Sequence, residues 1–128
     1  MIDRRLILGA LAGAAVAAAG GAQAHHGWTW AEDDTFELTG VIKSAKLGNP
    51  HGLLKLNAKK DGKDEEWTVE VGQPWRNERA GLTEDLLAVG TKMTVHGHRS
   101  ANRDEKLMKA ERLVIAGKDY NLYPDRQS

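Results

Sequence analysis

The chain has 128 residues, with 18 basic and 18 acidic side chains, five histidines and no cysteine. One domain is expected at that length, and the lack of cysteine excludes a disulfide scaffold, a thiolate metal centre and a thiol nucleophile. The balanced charge argues against a nucleic-acid partner, which calls for a basic surplus.

The opening segment, "MIDRRLILGALAGAAVAAAGGAQA", carries Arg4 and Arg5, stays uncharged from Leu6 to Ala22 and ends Ala22-Gln23-Ala24. That charged, apolar and small-residue order is the layout of a cleaved export signal over residues 1–24. The run is rich in Ala and Gly and poor in Leu, Ile and Phe, so it is a weak membrane span, and no stable anchor is expected after cleavage. Arginines before Leu6-Ile7-Leu8 also resemble a twin-arginine signal, with Asp3 where Ser or Thr is usual. Secretory and twin-arginine export both remain open, and either delivers a periplasmic protein. Cleavage after Ala24 leaves residues 25–128, with 16 basic and 17 acidic side chains and His25 first.

The remainder reads as mainly β. "TFELTGVIKSAKL" (35–47) is a first strand, in which Gly40 marks a bend or bulge. "GNP" turns the chain, and "HGLLKLNA" forms a second strand with Leu54, Leu56 and Ala58 on one face. The polar loop "KKDGKDE" centres a hairpin on Asp61-Gly62. In "EWTVEVG", Trp67, Val69 and Val71 face one way and Glu66, Thr68 and Glu70 the other. "PWRNERAGLTEDLLAVG" breaks the alternation: Pro74 suits a first helical position, Gly81 a helix end, and Thr83 the cap of a second short turn. "TKMTVHGHRS" and "KLMKAERLVIAG" are the fourth and fifth strands, and "KDYNLYPDR" reads as a tail. Three strands, a short helical segment and two strands give a five-stranded OB-like barrel with an N-terminal arm; an open α+β sheet or sandwich is the alternative.

The histidines carry the chemistry. A processed His25 offers an α-amine, whose pKa of about 7.7–8.0 lets it lose its proton readily, together with its imidazole. The two close a chelate ring on one ion, and His26 adds a neighbouring nitrogen. The plain reading of the pair is a solvated terminus that tolerates the peptidase. His96 and His98, two apart on the fourth strand, emerge on one face about 6.6–6.8 Å apart; most such pairs are simply polar strand faces. His51 follows Pro50, which restricts Asn49 to extended backbone; alone, it reads as a turn residue.

"HHGWTW", "LTGVIKSAKLGNPHG", "EWTVEVGQP" and "RAGLTEDLLAVGTKMTVHG" together resemble a family of small exported bacterial proteins of unassigned function, from His25 to about Gly97. That pattern has a mature His-His start, a strand ending in Asn-Pro-His and a Trp-x-Val-Glu strand. The resemblance points to His25, His26 and His51, with Glu70 as the matching acidic residue. It says nothing of His96 and His98, which rest on strand geometry, and it brings no activity.

Nitrogen-rich ligation without thiolate suits copper, zinc or nickel, and affinities rise toward copper. Copper is the expected ion, with zinc second, and His25, His26, His51, His96 and His98 are the candidate ligands. Met93 and Met108 could serve Cu(I), but strand periodicity puts Met93 in the core. The expected function is periplasmic metal handling or delivery, with the ion and a periplasmic protein as partners. No Gly-x-Ser-x-Gly, phosphate loop or catalytic triad signature is present, and a copper-dependent oxidase is a minor reading. The competing class is a metal-free module that binds a peptide or saccharide through Trp28, Trp30, Trp67 or Trp75. In that reading Trp28 and Trp30 could instead hold the arm on the barrel, Trp67 belongs to the core, and Arg76 and Arg79 could grip an anionic ligand.

Overall fold

The structure, a computed structural model, describes residues 27–126. Residues 1–26, which hold the expected export signal, His25 and His26, lie outside the described residues. The chain divides after Trp30, and residues 27–30 form a turn by themselves.

From Ala31 onward the elements are β1 (Phe36–Lys46), β2 (Leu53–Lys60), β3 (Lys63–Glu70), the helix α1 (Pro74–Ala80), a 3-10 turn (Glu84–Leu87), β4 (Lys92–Arg99), β5 (Leu107–Ile115) and β6 (Lys118–Asn121). β1 pairs antiparallel with β2 and β4, β2 with β3, and β4 with β5. β3 and β5 lie parallel, with Glu70 opposite Lys109, and this pairing closes the five-stranded barrel expected of an OB-like fold.

Period-2 alternation fills the interior. Leu54, Leu56 and Ala58 of β2, Trp67 and Val69 of β3, Met93 and Val95 of β4, and Met108, Ala110 and Leu113 of β5 are all buried. Each large apolar side chain so buried contributes about 1.5–3 kcal/mol, so the barrel holds together without cross-links.

Local signals mostly act as expected. Asp61 and Gly62 both take positive φ, the two-residue turn that matches strand twist. The strands therefore run to Lys60 and from Lys63, and the loop is shorter than its polar composition implied. Pro74 starts α1, and Gly81 ends it in the left-handed region. Thr83 precedes the 3-10 turn, but its side chain makes no capping bond. Gly40 is not the bulge; the irregularity in β1 falls between Ile42 and Ser44. Gly40 instead admits β2, since a Cβ there would lie 2.9 Å from the Asn57 carbonyl oxygen. The segment read as a tail contains β6, which pairs antiparallel with β5. Ala116 and Gly117, both at positive φ, make that hairpin turn.

Candidate functional site

Two histidines of the barrel each meet a buried carboxylate. His51 sits in the connection between β1 and β2, after a cis Asn49–Pro50 bond. The next residue ties this corner to the end of β3: Gly52 N–H donates to Gly72 O at 3.0 Å, and Val71 N–H donates to Gly52 O at 2.9 Å. A Cβ at Gly52 would lie 2.6 Å from a Val71 methyl, so only glycine lets the corner approach this closely. The result places His51 Nδ1 3.5 Å from Glu70 Oε1.

Glu70 ends β3 and is buried despite its outward position in the alternation. Its Oε1 is 3.2 Å from Lys109 Nζ, and Lys109 is 2% exposed. An ammonium out of water is costly unless paired, and the parallel β3–β5 register supplies the pair. Burial holds the Lys109 amine below its ordinary range; Glu70 opposes that shift, and Arg126 and Arg76 add to it.

Two residues along β5, Glu111 repeats the arrangement. The β4–β5 ladder slips between His96 and Gly97, so Glu111 is the extra residue of a bulge. Glu111 Oε2 contacts His98 Nε2, and Arg126 Nε lies 3.6 Å from the same oxygen. Glu111 Oε1 is buried with no hydrogen-bond partner among the described residues. His98 Nδ1 is 2.9 Å from the Asp34 carbonyl oxygen, which can only accept. Nδ1 therefore carries a proton, and Nε2 faces the Glu111 carboxylate.

The chain beyond β6 covers this belt. Leu122 and Tyr123 N–H both donate to Glu111 O, at 2.9 and 3.3 Å. Arg76 and Arg79 of α1 donate to Leu122 O at 3.1 and 3.3 Å. The Arg76 guanidinium lies 4.1 Å from the Tyr123 ring centroid and 4.5 Å from that of Trp75, which is half exposed. Burial raises the Tyr123 phenol above its ordinary range, with Glu70 adding to the shift and the two arginines opposing it.

The five sequence candidates thus separate. His51 and His98 head two rows, His51–Glu70–Lys109 and His98–Glu111–Arg126, on neighbouring strands. His96 is partly exposed, and its nearest ion-pair contact is Glu37, its cross-strand neighbour, at 4.0 Å. His25 and His26 lie outside the described residues. Among the described residues, no three of His, Asp and Glu converge as a metal site requires. Met93 and Met108 are both in the core. Lys109, Glu111, Tyr123 and Arg126 were not foreseen as site residues; alternation alone puts Lys109 and Glu111 on the solvent side of β5.

The sequence profile of a family of unknown function (DUF6152) matches residues 12–108. The chain belongs to that family. The DUF6152 match spans the His51 corner, Glu70 and His98. No curated protein is significantly similar in sequence. Among solved structures, this DUF6152 chain is similar to Rim1, a mitochondrial single-stranded DNA binding protein from S. cerevisiae. The TM-score is 0.53 at 8% identity, over 66% of this chain and 94% of that one. It is also similar to a ZRD-deleted mutant of TiaS in complex with agmatine, with TM-score 0.52 at 15% identity, over 73% of this chain but 27% of that one. The S. pombe Stn1–Ten1 complex gives TM-score 0.50 at 13% identity, over 66% of this chain and 59% of that chain. Identities this low report the fold alone.

Proposed function

We propose that this DUF6152 protein is a periplasmic binding protein for a transition-metal ion, copper before zinc, that serves metal handling or delivery. In this reading residues 1–24 are the cleaved export signal, and the ligands are the His25 amine and imidazole, His26 and His51. The supporting observation is the placement of a buried carboxylate, Glu70, at Nδ1 of His51. Metal-binding histidines characteristically give their second ring nitrogen to such a group. His98 is left out of the ligand set, because both its ring nitrogens are already engaged.

Cu(II) titration of the processed protein tests the reading. Replacing His25 and His26 by Ala lowers affinity at least tenfold, about 1.4 kcal/mol. One residue added before His25 also weakens binding, because it moves the amine. An unchanged titration rejects the terminal site.

A second reading has one observation in its favour: Trp75, 52% exposed, stands beside Arg76 and Arg79 on α1. A metal-free module for an anionic peptide or saccharide would use that face. Trp75→Ala would then abolish ligand capture and leave copper affinity untouched.

A further inference from the structure

We infer that a split between β1 and β2 takes an extended peptide segment as an added strand, one that alternates apolar and acidic residues. The inference is independent of the metal reading. β1 and β2 form ladder pairs only from Lys46–Leu53 to Val41–Asn57. Past that point residues 36–40 pair with β4 alone, and residues 58–60 pair with β3 alone. Ladder alternation says which backbone groups face the gap. Ile42 N–H donates to Thr91 O, just before β4, at 2.8 Å. Bonded positions of an antiparallel pair recur every second residue. Leu38 and Gly40 therefore bond β4, and the N–H and C=O of Glu37 and Thr39 point the other way. On β2, Lys60 and Lys63 close the two-residue turn as a bonded pair, so Lys59 turns its N–H and C=O away from β3. Glu37, Thr39 and Lys59 thus line the gap with no ladder partner on that side among the described residues. Unpaired strand edges of this kind are a template for another chain.

The gap opens into an inner and an outer depression, of about 290 and 420 Å³, and Thr39 and Lys59 line both. Leu38, Ala58 and Trp67, all buried, line the inner one. The Phe36 ring stands beside them, its centroid 5.1 Å from that of Trp67. Glu65 also lines it, and its Oε1 accepts from Trp67 Nε1 at 3.2 Å. The outer depression is lined by Val41 and Asn57, with Lys59 and Lys92. On the same outer surface Lys43 and Lys55 share Glu66, at 2.8 and 3.3 Å. Lys59 and Lys92 have no ion-pair partner among the described residues. Side chains of an added strand alternate between the two faces. Apolar ones enter the inner depression against Leu38 and Trp67, and acidic ones stand by Lys59 and Lys92. Main-chain bonds supply affinity and the two depressions supply sequence preference.

The experiment uses the processed, 15N-labelled protein, and its first readout needs no ligand. In the free monomer the Glu37, Thr39 and Lys59 amides exchange with solvent rapidly, while the Leu38 and Ala58 amides are protected. Protection of Glu37, Thr39 and Lys59 in the free monomer overturns the inference. The probe is a short capped peptide of alternating Glu and Val. It binds, protects those three amides, and binds at least tenfold more tightly than its counterpart of alternating Lys and Val. The double variant K59E/K92E changes only exposed side chains, and it reverses that preference. Methylating the peptide's backbone nitrogens abolishes binding, because ladder bonds can no longer form. No binding at about 1 mM peptide, binding that N-methylation leaves intact, or an unchanged preference in K59E/K92E each overturns the inference. So does protection of the three amides through self-association of this chain instead of peptide.

Discussion

Replacing His98 by Ala removes one half of a buried polar pair and strands the other. His98 is 5% exposed and Glu111 2% exposed. Glu111 keeps Arg126, 3.6 Å away and 41% exposed, while its Oε1 already lacks a hydrogen-bond partner among the described residues. Breaking a buried pair in this way costs about 3–5 kcal/mol, against a typical domain stability of about 5–15 kcal/mol. With a urea slope of about 1–3 kcal/mol/M, the unfolding midpoint falls by about 2 M. The assay is urea unfolding followed by tryptophan fluorescence, since Trp67 lies in the core. The double variant H98L/E111L removes both partners and recovers most of the loss, because apolar replacement of a buried pair is often neutral or stabilising. A loss below about 0.5 kcal/mol for H98A, the range of ordinary surface changes, would refute the structural role given to His98. So would a double variant no more stable than the single one.

Gly97→Ala places a Cβ 2.0 Å from the Lys109 carbonyl oxygen, so the β4–β5 ladder must spread at the Glu111 bulge. Overpacking costs about 1–3 kcal/mol or more, and calorimetry reads it as a lower melting temperature with reduced exchange protection along β5. At alkaline pH a buried amine and a partly buried phenol oppose one another. The Lys109 amine titrates below its ordinary value of 10.5, so the unfolded chain binds more protons there and stability rises with pH up to that value. The Tyr123 phenol titrates above its ordinary 10.0, so the unfolded chain loses that proton first and stability falls as pH climbs past it. Lys109→Met removes the rise and Tyr123→Phe removes the fall in a series of unfolding midpoints; identical pH profiles for both variants would contradict the assignment.

The barrel was legible because its strands alternate cleanly. Leu54, Leu56 and Ala58, or Trp67 and Val69, declare one inward face, and Pro74 and Gly81 bracket the helix. β6 was not legible because its turn is Ala116-Gly117 rather than an Asn-Gly or Asp-Gly pair, and the strand has only four residues. Missing β6 hid the site as well. Lys109 and Glu111 occupy outward positions, and only a covering chain buries them; Leu122 and Tyr123 provide it. The Tyr120–Leu122 alternation was the available signal, since both side chains are buried. Of the histidines, sequence singled out His51 by the residues around it. It could not foresee that Glu70 would meet its ring, because that contact depends on the close approach of Gly52 to Val71. His96 and His98 look equivalent on an ideal strand; the Glu111 bulge and the Asp34 carbonyl make them different.

The central claim is that the processed terminus and His51 serve one ion. Copper stoichiometry and affinity, measured on the processed wild-type protein, on H51A, on the His25 and His26 double variant, and on the combination, test it most directly. The account predicts one copper per chain in the wild type, a loss of at least tenfold in each variant, about 1.4 kcal/mol, and a combined loss that departs from the sum of the two. Two copper ions per chain with losses that simply add, or an H51A titration indistinguishable from wild type, would contradict it.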